Sequence, residues 1–395
     1  MFDSVVLRRS ESGEAITAGQ LAEALLYYQN VHLVVDRGTF QSLTRQIGIS
    51  QFLSLLQRQG LNAVHCEESL AAHTENVGAF QVHNFIAFSM RGHEGVGQLK
   101  TRTERVRYEL QQVGMPGRQA SKFAEAFVER VPTRKLSGDQ YVAGGIPEAA
   151  KKDILSPEFL HKAVRASVAA TPGGYAIGND LKFDVISTDL GFHVFTDIDF
   201  DGINRRRAAS SPPLEATGVA HVLSHILESR ADLAFASFYG GDLKTSSTTS
   251  AILQVRHSEI LRRASLNADA QKQFTDVVLP DTPRLAEVID SGERTFDEFL
   301  LLLDKAARFK SWLRGAAPDE GLVRTYLRDV SSEGWIQRLP AKTVRYLFAL
   351  ALDSTNPIAG VMAGFVDAFV LEKLLGGWRP SHFVEARLGP FIGSG

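Results

Sequence analysis

Two short apolar runs, Ser4-Val5-Val6-Leu7 and Val31-His32-Leu33-Val34-Val35, enclose the segment Ala18-Gly19-Gln20-Leu21-Ala22-Glu23-Ala24-Leu25-Leu26-Tyr27-Tyr28. The flanking runs are rich in β-branched residues, which suits strands, whereas Leu21, Leu25 and Tyr28 recur at three- and four-residue spacing, the period of a helix face. The order strand, helix, strand predicts a β-α-β unit and, with it, a layered α/β domain. Working outward, Thr39 to Ile47 and Ser50 to Gln59 read as helices, the second stopped by Gly60, and Leu61 to Cys66 and Gln81 to Ser89 read as strands. The glycine-rich segment Arg91-Gly92-His93-Glu94-Gly95-Val96-Gly97 has no apolar period, so a small α/β domain is expected over residues 1–95, closed by a loop.

Residues 96–213 change character. Glu104 to Val113 and Ser121 to Val131 form a helical hairpin broken at Gly114-Met115-Pro116-Gly117, and Ser156-Pro157-Glu158 opens a further helix that Thr171-Pro172-Gly173-Gly174 ends. From Leu190 to Phe200 the apolar period is two, the mark of a half-buried strand, and Lys182 to Ser187 is its expected partner through Thr188-Asp189-Leu190-Gly191. Such a hairpin, spanning 181–202, must pack on helices or extend the first sheet, because it is marginal alone.

Everything after Pro213 reads as helix. Glu215 to Phe238 is apolar on one side, Ser250 to Arg263 follows, Thr282-Pro283 opens a helix ending at Gly292, and Thr295-Phe296-Asp297-Glu298 is a capping box for a helix running to Arg314. Pro318 to Val330 and Ala341 to Leu352 continue the pattern. A buried central helix over 357–375 then lies between the N-cap Asn356 and the stop Gly376-Gly377, apolar at nearly every angle. The expected fold is α+β and mostly helical: a small N-terminal α/β domain, then a larger helical part containing one β-hairpin, with 214–395 as its helical domain.

Composition narrows the class. The 395 residues carry a formal net charge of −2 and are 44% hydrophobic and 22% charged, the profile of a globular chain with roughly two or three domains and no electrostatic footprint for nucleic acid. A single cysteine, Cys66, excludes an internal disulfide and any multi-cysteine metal site, which points to a reducing cytoplasm. Met1-Phe2-Asp3 followed by Arg8-Arg9 is the wrong order for a secretory signal. The best apolar run, Ile358 to Leu371, is shorter than the ~20 residues a membrane span needs and carries Asp367, so no membrane passage is expected.

Motifs for phosphate loops, nucleophile elbows and zinc proteases are absent from the sequence. Asp197-Ile198-Asp199-Phe200-Asp201-Gly202 begins like a calcium loop, but its twelfth position is Ala208, preceded by Arg205, Arg206 and Arg207. On a strand, Asp197, Asp199 and Asp201 would share a face at ~7 Å intervals. His221, His225 and Glu228 share a helix face at i, i+4 and i+7. Together these six residues compose a candidate site for a divalent metal such as manganese or zinc. The bland alternative is a solvated acidic strand paired with the neighbouring arginines, beside ordinary packed histidines. Arg205, Arg206 and Arg207 are candidate phosphate contacts or, more plainly, solvated surface charge. His65 and Cys66 point to opposite faces of one strand and do not form a pair of ligands. Asp367 is a buried polar residue whose expected role is structural, with Arg379, Lys373 or a helix N-terminus as its partner.

The leading functional expectation is a cytoplasmic interaction or regulatory protein that acts through helical surfaces on a protein partner or on further copies of itself, with no cofactor. A metal-dependent hydrolase or nuclease built on the acidic strand and the His221/His225/Glu228 face is the alternative. A third is an effector whose C-terminal apolar helices associate with membranes or with one another.

Overall fold

The computed structural model describes residues 2–9, 15–78, 80–89, 92–93, 97–138, 142, 144–279, 282–316, 322–323, 325–326 and 378–393. The expected central helix over 357–375 with Asp367, the helix from 341 to 352, and most of the segment 318–330 lie outside the described residues.

The chain begins with β1 (Ser4–Leu7), α1 (Ala18–Tyr27), β2 (Asn30–Val35), α2 (Arg37–Ile47), α3 (Ile49–Leu55) and β3 (Leu61–Cys66). Four strands follow, β4 (Glu68–Val77), β5 (Phe80–Ser89), β6 (Gly92–His93) and β7 (Gly97–Gln98), then α4 (Arg102–Gln112), α5 (Gly117–Arg130) and β8 (Thr133–Arg134). After α6 (Gly145–Ile154) and α7 (Pro157–Ala170) come β9 (Phe183–Thr188), β10 (Gly191–Thr196), α8 (Phe200–Ala208), α9 (Val219–Tyr239) and β11 (Asp242–Lys244). The helices α10 (Ser247–Val278), α11 (Leu285–Asp290), α12 (Phe296–Asp304) and α13 (Ala307–Gly315) lead toward short C-terminal turns between Pro380 and Ile392.

The fold is α+β and mostly helical, with a parallel N-terminal sheet, a separate antiparallel sheet and a helical remainder. The first sheet has the order β11-β1-β2-β3-β8, and the pairings β1/β11, β2/β3 and β3/β8 are parallel. Strand β11 lies in the polar stretch between the helices expected over Glu215 to Phe238 and Ser250 to Arg263, where a turn and no strand was expected. It is only three residues long, too short for a period to show. Gly240 ends α9 in the left-handed region (φ 67°), and Gly241 admits the close approach to β1, since a Cβ there would lie 3.0 Å from the Ser4 backbone.

The second sheet has the order β4-β5-β10-β9. The expected hairpin of β9 and β10 is present, with Gly191 opposite Thr188 and Thr196 opposite Phe183, and it joins β5 rather than the parallel sheet. Strand β4 pairs with β5 along its whole length, Glu68 opposite Ser89 to Val77 opposite Phe80. Its sequence, Glu-Ser-Leu-Ala-Ala-His-Thr-Glu-Asn-Val, is poor in β-branched residues and gave no strand signal. The loop expected over 91–97 contains the two-residue strands β6 and β7.

Two compact units divide the chain differently from boundaries at 95 and 213. One comprises Ser4–Ile16 and Val31–Arg263; the other comprises Met1–Asp3, Thr17–Asn30 and Ala264–Gly395. In the first, the core is continuous from parallel-sheet residues Val6, Val34 and Val64 through α9 residues Leu223, Ile226 and Leu227 to Phe85, Phe183 and Phe192 of the antiparallel sheet. Helix α9 therefore presents apolar residues to several elements at once, and its burial extends around the helix rather than along the single side that the sequence pattern displays.

In the other unit, α1 packs against α11, α12 and α13. Gly19 makes the closest approach: a Cβ there would lie 2.3 Å from the Ala286 carbonyl oxygen. Asp290 Oδ1 accepts from the Gly19 N–H at 2.7 Å, and its Oδ2 accepts from Thr17 Oγ1 at 2.7 Å. An aromatic cluster of Phe274, Phe309, Trp312, Tyr326 and Phe383 fills the interior. The Thr295/Glu298 capping box forms as expected, but the helix it opens stops at Asp304 and a second one, α13, begins at Ala307.

Candidate functional site

The six candidate metal ligands are distributed among separate local structures. Strand β10 ends at Thr196, so Asp197, Asp199 and Asp201 do not form a strand face. Asp197 Oδ1 accepts from the Lys182 N–H at 3.1 Å, whereas Asp199 is the N-cap of α8 and accepts from the Gly202 N–H at 2.8 Å. A capping carboxylate at this position satisfies a free amide and suits the positive end of the helix, which is why the chain turns helical where the alternation suggested more strand. Asp201 lies exposed in the first turn.

The helix-face triplet also separates. His221 is exposed, His225 is buried with Nδ1 2.8 Å from Ser167 Oγ, and Glu228 meets Arg8. Among the described residues, no three histidine, cysteine, aspartate or glutamate side chains gather where a metal ion could be held. The Ser167–His225 distance is that of a nucleophile and its base. Ser167, however, is fully buried, and burial followed by the charges of His221 and Arg207 lowers His225 to about 4, so the pair is a neutral packing contact.

Two of the three arginines serve backbone oxygens. Arg206 Nε donates to the Gly173 carbonyl at 2.6 Å, and Arg207 donates to the carbonyls of Glu215 (2.7 Å) and Pro172 (3.0 Å). These bonds tie the loop after α7 and the loop after α8 to the last turn of α8. Arg205 is exposed. Cys66 is buried beside the end of β3, and burial pushes its thiol up to about 12, the condition of an inert core cysteine.

Two arrangements stand out that were not legible as sites in the sequence. The first is a buried charge cluster at the end of β1. Arg8 donates from Nη2 to Glu228 Oε2 and from Nη1 to Asp232 Oδ1, both at 2.6 Å, and Thr245 Oγ1 donates to the other oxygen of Asp232. The three charged side chains are 7%, 1% and 0% exposed, which places the cluster out of reach of any substrate. Burial opposes the Arg8 charge, but the two carboxylates overcome that and hold the guanidinium above its ordinary value; burial raises Asp232, with Arg8 and Thr245 counteracting. This cluster joins the end of β1 to α9 and to the residue following β11.

The second is the outward face of the antiparallel sheet. The opposite face is buried: Leu70, Ala72, Phe85 and Phe192 belong to the core, and Ser224 Oγ of α9 accepts from the Ala72 N–H at 2.9 Å. Because side chains alternate along a strand, Val77, Phe80 and Phe88 point outward. So does Phe195, since Phe192 pairs with the inward His83. Ile186, opposite His193, shares that face. Exposure is 42% for Val77, 59% for Phe80, 50% for Phe88, 53% for Ile186 and 49% for Phe195, with Leu190 at 63% on the hairpin turn. Phe80 also meets the His193 ring edge-on at 6.1 Å. The signal was present in Phe80-Gln81-Val82-His83-Asn84-Phe85-Ile86-Ala87-Phe88, which is apolar on both faces although an antiparallel sheet commonly leaves one face polar.

The chain matches no known protein family, no curated protein and no solved structure. No helix among the described residues is long and apolar enough to cross a membrane.

Proposed function

We propose that this protein is a regulatory interaction module that docks a partner protein on the outward face of its antiparallel sheet. The observation that carries this reading is the group of large apolar side chains toward one end of that face, Phe80, Ile186 and Phe195, each about half exposed, with Phe88 farther along β5 on the same side. Single exposed apolar residues are ordinary, whereas a contiguous group on one face is what an interaction site requires. Aromatic anchors contribute disproportionately to interface energies. The polar residues His73, Glu75 and Asp184 on the same face supply the rim around the apolar residues. This places the interaction on a sheet rather than on the helical surfaces expected from sequence, and a cytoplasmic setting belongs to the same proposal.

The test compares wild type with Phe80→Asp/Phe195→Asp in extracts of the native cell, using size-exclusion chromatography with immunodetection. The wild type elutes as part of a larger assembly, the variant at the size of the free chain, and both purified proteins keep the same circular dichroism spectrum. Elution of both at the size of the free chain contradicts the proposal, as does an assembly indifferent to the substitutions.

A further inference from the structure

The antiparallel sheet has two edges, and they are finished differently. At the β4 edge, Ser224 Oγ of α9 takes the Ala72 N–H at 2.9 Å, so a helix closes the sheet there. The other edge is β9. The Lys182 carbonyl accepts from the Asp197 N–H at 3.3 Å, and the pairing then runs without a bulge from Phe183 opposite Thr196 to Thr188 opposite Gly191. Hydrogen-bonded pairs alternate along an antiparallel ladder, so Lys182, Asp184, Ile186 and Thr188 bond to β10, while Phe183, Val185 and Ser187 turn their N–H and C=O groups to the open side. Among the described residues, these outward groups meet no partner.

Edge strands are ordinarily kept from pairing by lysine, proline, a bulge or a covering element. Between Phe183 and Thr188 there is no lysine, proline or bulge, and Asp184, Ile186, Ser187 and Thr188 are all exposed. The strand is therefore an open template of six residues, about 20 Å long. What pairs with it must be extended backbone, because only a strand repeats donors and acceptors at that spacing. Charge decides which strand. Asp180, Asp184 and Asp189 are exposed, as is Lys182, so three negative charges against one positive leave β9 and its flanks at −2. A second copy of β9 would bring the same negative charge, and like charges across a strand pair are unfavourable. A basic strand is complementary, and Ile186, 53% exposed between the acidic flanks, calls for an apolar centre.

We propose that the partner adds an extended basic segment, apolar at its centre, to the β9 edge as a fifth strand of the antiparallel sheet. This rests on the interaction reading and names how the partner engages: main-chain hydrogen bonds hold the added strand, and its side chains continue the outward apolar face past Ile186.

The test is fluorescence anisotropy of the full chain with a labelled eight-residue peptide, two lysines at each end around alternating valine and threonine. It binds saturably with a Kd of about 1 mM or tighter, the strength of a short strand that must be ordered on binding. The analogue with glutamate for lysine binds at least about tenfold more weakly, the sum of several cross-strand charge pairs. Prolines at the two central positions remove amide donors from both edges of the peptide and abolish binding. Ser187→Pro removes an outward N–H without breaking a bond to β10, and it also abolishes binding. Asp184→Lys/Asp189→Lys leaves the backbone untouched and weakens binding about tenfold; it decides the matter should Ser187→Pro fail to fold, judged by circular dichroism. No binding of the basic peptide, equal binding of the acidic or proline peptide, or unchanged binding by either folded variant overturns the proposal. A dimer of the purified chain that Ser187→Pro dissociates also overturns it, because the second copy is then the occupant. In extracts of the native cell, an assembly lost on Phe80→Asp/Phe195→Asp but kept by Ser187→Pro overturns the added strand alone, whereas no assembly in the wild type overturns the interaction reading beneath it.

Discussion

Replacing Arg8 by methionine removes the cation from a site where two carboxylates remain with almost no access to water. Glu228 and Asp232 are 1% and 0% exposed and each loses a 2.6 Å contact. Breaking a buried ion pair by removing one partner costs about 3–5 kcal/mol, because the remaining charge must be desolvated alone or take up a proton. A domain is stable by only about 5–15 kcal/mol, so this single change consumes a large part of the margin. At about 2–4 °C per kcal/mol for a unit of this size, the thermal midpoint is expected to fall by about 6–20 °C. The assay is urea unfolding of wild type and Arg8→Met, followed by far-ultraviolet circular dichroism. A companion variant, Arg8→Met/Glu228→Gln/Asp232→Asn, neutralises the cluster and is expected to recover part of the loss, since neutral amides avoid the isolated charge. An Arg8→Met variant within about 1 kcal/mol of wild type would refute the reasoning, because surface pairs contribute that little and buried ones do not.

Acid sensitivity follows from two buried histidines. His65 and His225 are each lowered to about 4, chiefly by burial and secondarily by Arg102 and His221 respectively. Above about pH 6.5 both are neutral folded and unfolded; as pH falls from there to about 4, only the unfolded chain takes up the protons, so stability is lost across that window, by roughly 3 kcal/mol per histidine. His225→Gln is expected to make the decline between pH 6.5 and 4.5 shallower, measured by urea midpoints, and an unchanged slope would count against the assignment. Gly19→Ala is expected to destabilise the unit containing α1 by about 1–3 kcal/mol, since the added methyl would sit 2.3 Å from the Ala286 carbonyl oxygen and backbone must move. A thermal midpoint equal to wild type would show that α1 and α11 are not in such close contact.

Local structure was most legible where one principle dominated. The β-branched runs of β1 and β2, the Thr295/Glu298 capping box, the Ser156-Pro157 helix start and the alternation of β9 and β10 all form as the residues dictate. The errors arose where tertiary context decided. The acidic alternation after Thr196 resembles strand until Asp199 is seen to cap a helix. Strand β4 is polar and is held by pairing with β5 over ten residues, which no local propensity announces. Strand β11 is three residues beside β1, more than 230 positions earlier in sequence.

The candidate sites were less legible because they depend on distance in space. His221, His225 and Glu228 do share a helix, yet α9 is buried on several sides, so spacing alone did not say which neighbour each would meet. Glu228 meets Arg8 and His225 meets Ser167, partners 220 and 58 residues away. Arg8 itself was read only, with Arg9, as charge placed in the wrong order for a secretory signal. The outward sheet face could have been inferred once β5 was known to be antiparallel, since its two apolar faces exceed what one core can cover.

The interaction reading is tested most directly by placing a photo-crosslinking amino acid at Ile186 on the outward sheet face and, in a second protein, at Leu301 on α12, then irradiating the native cell. Both positions are exposed, at 53% and 63%, so accessibility does not distinguish them. The account predicts one dominant adduct from Ile186, suppressed by Phe80→Asp, and no corresponding adduct from Leu301. No adduct from Ile186, or the same adducts from both positions, would contradict it.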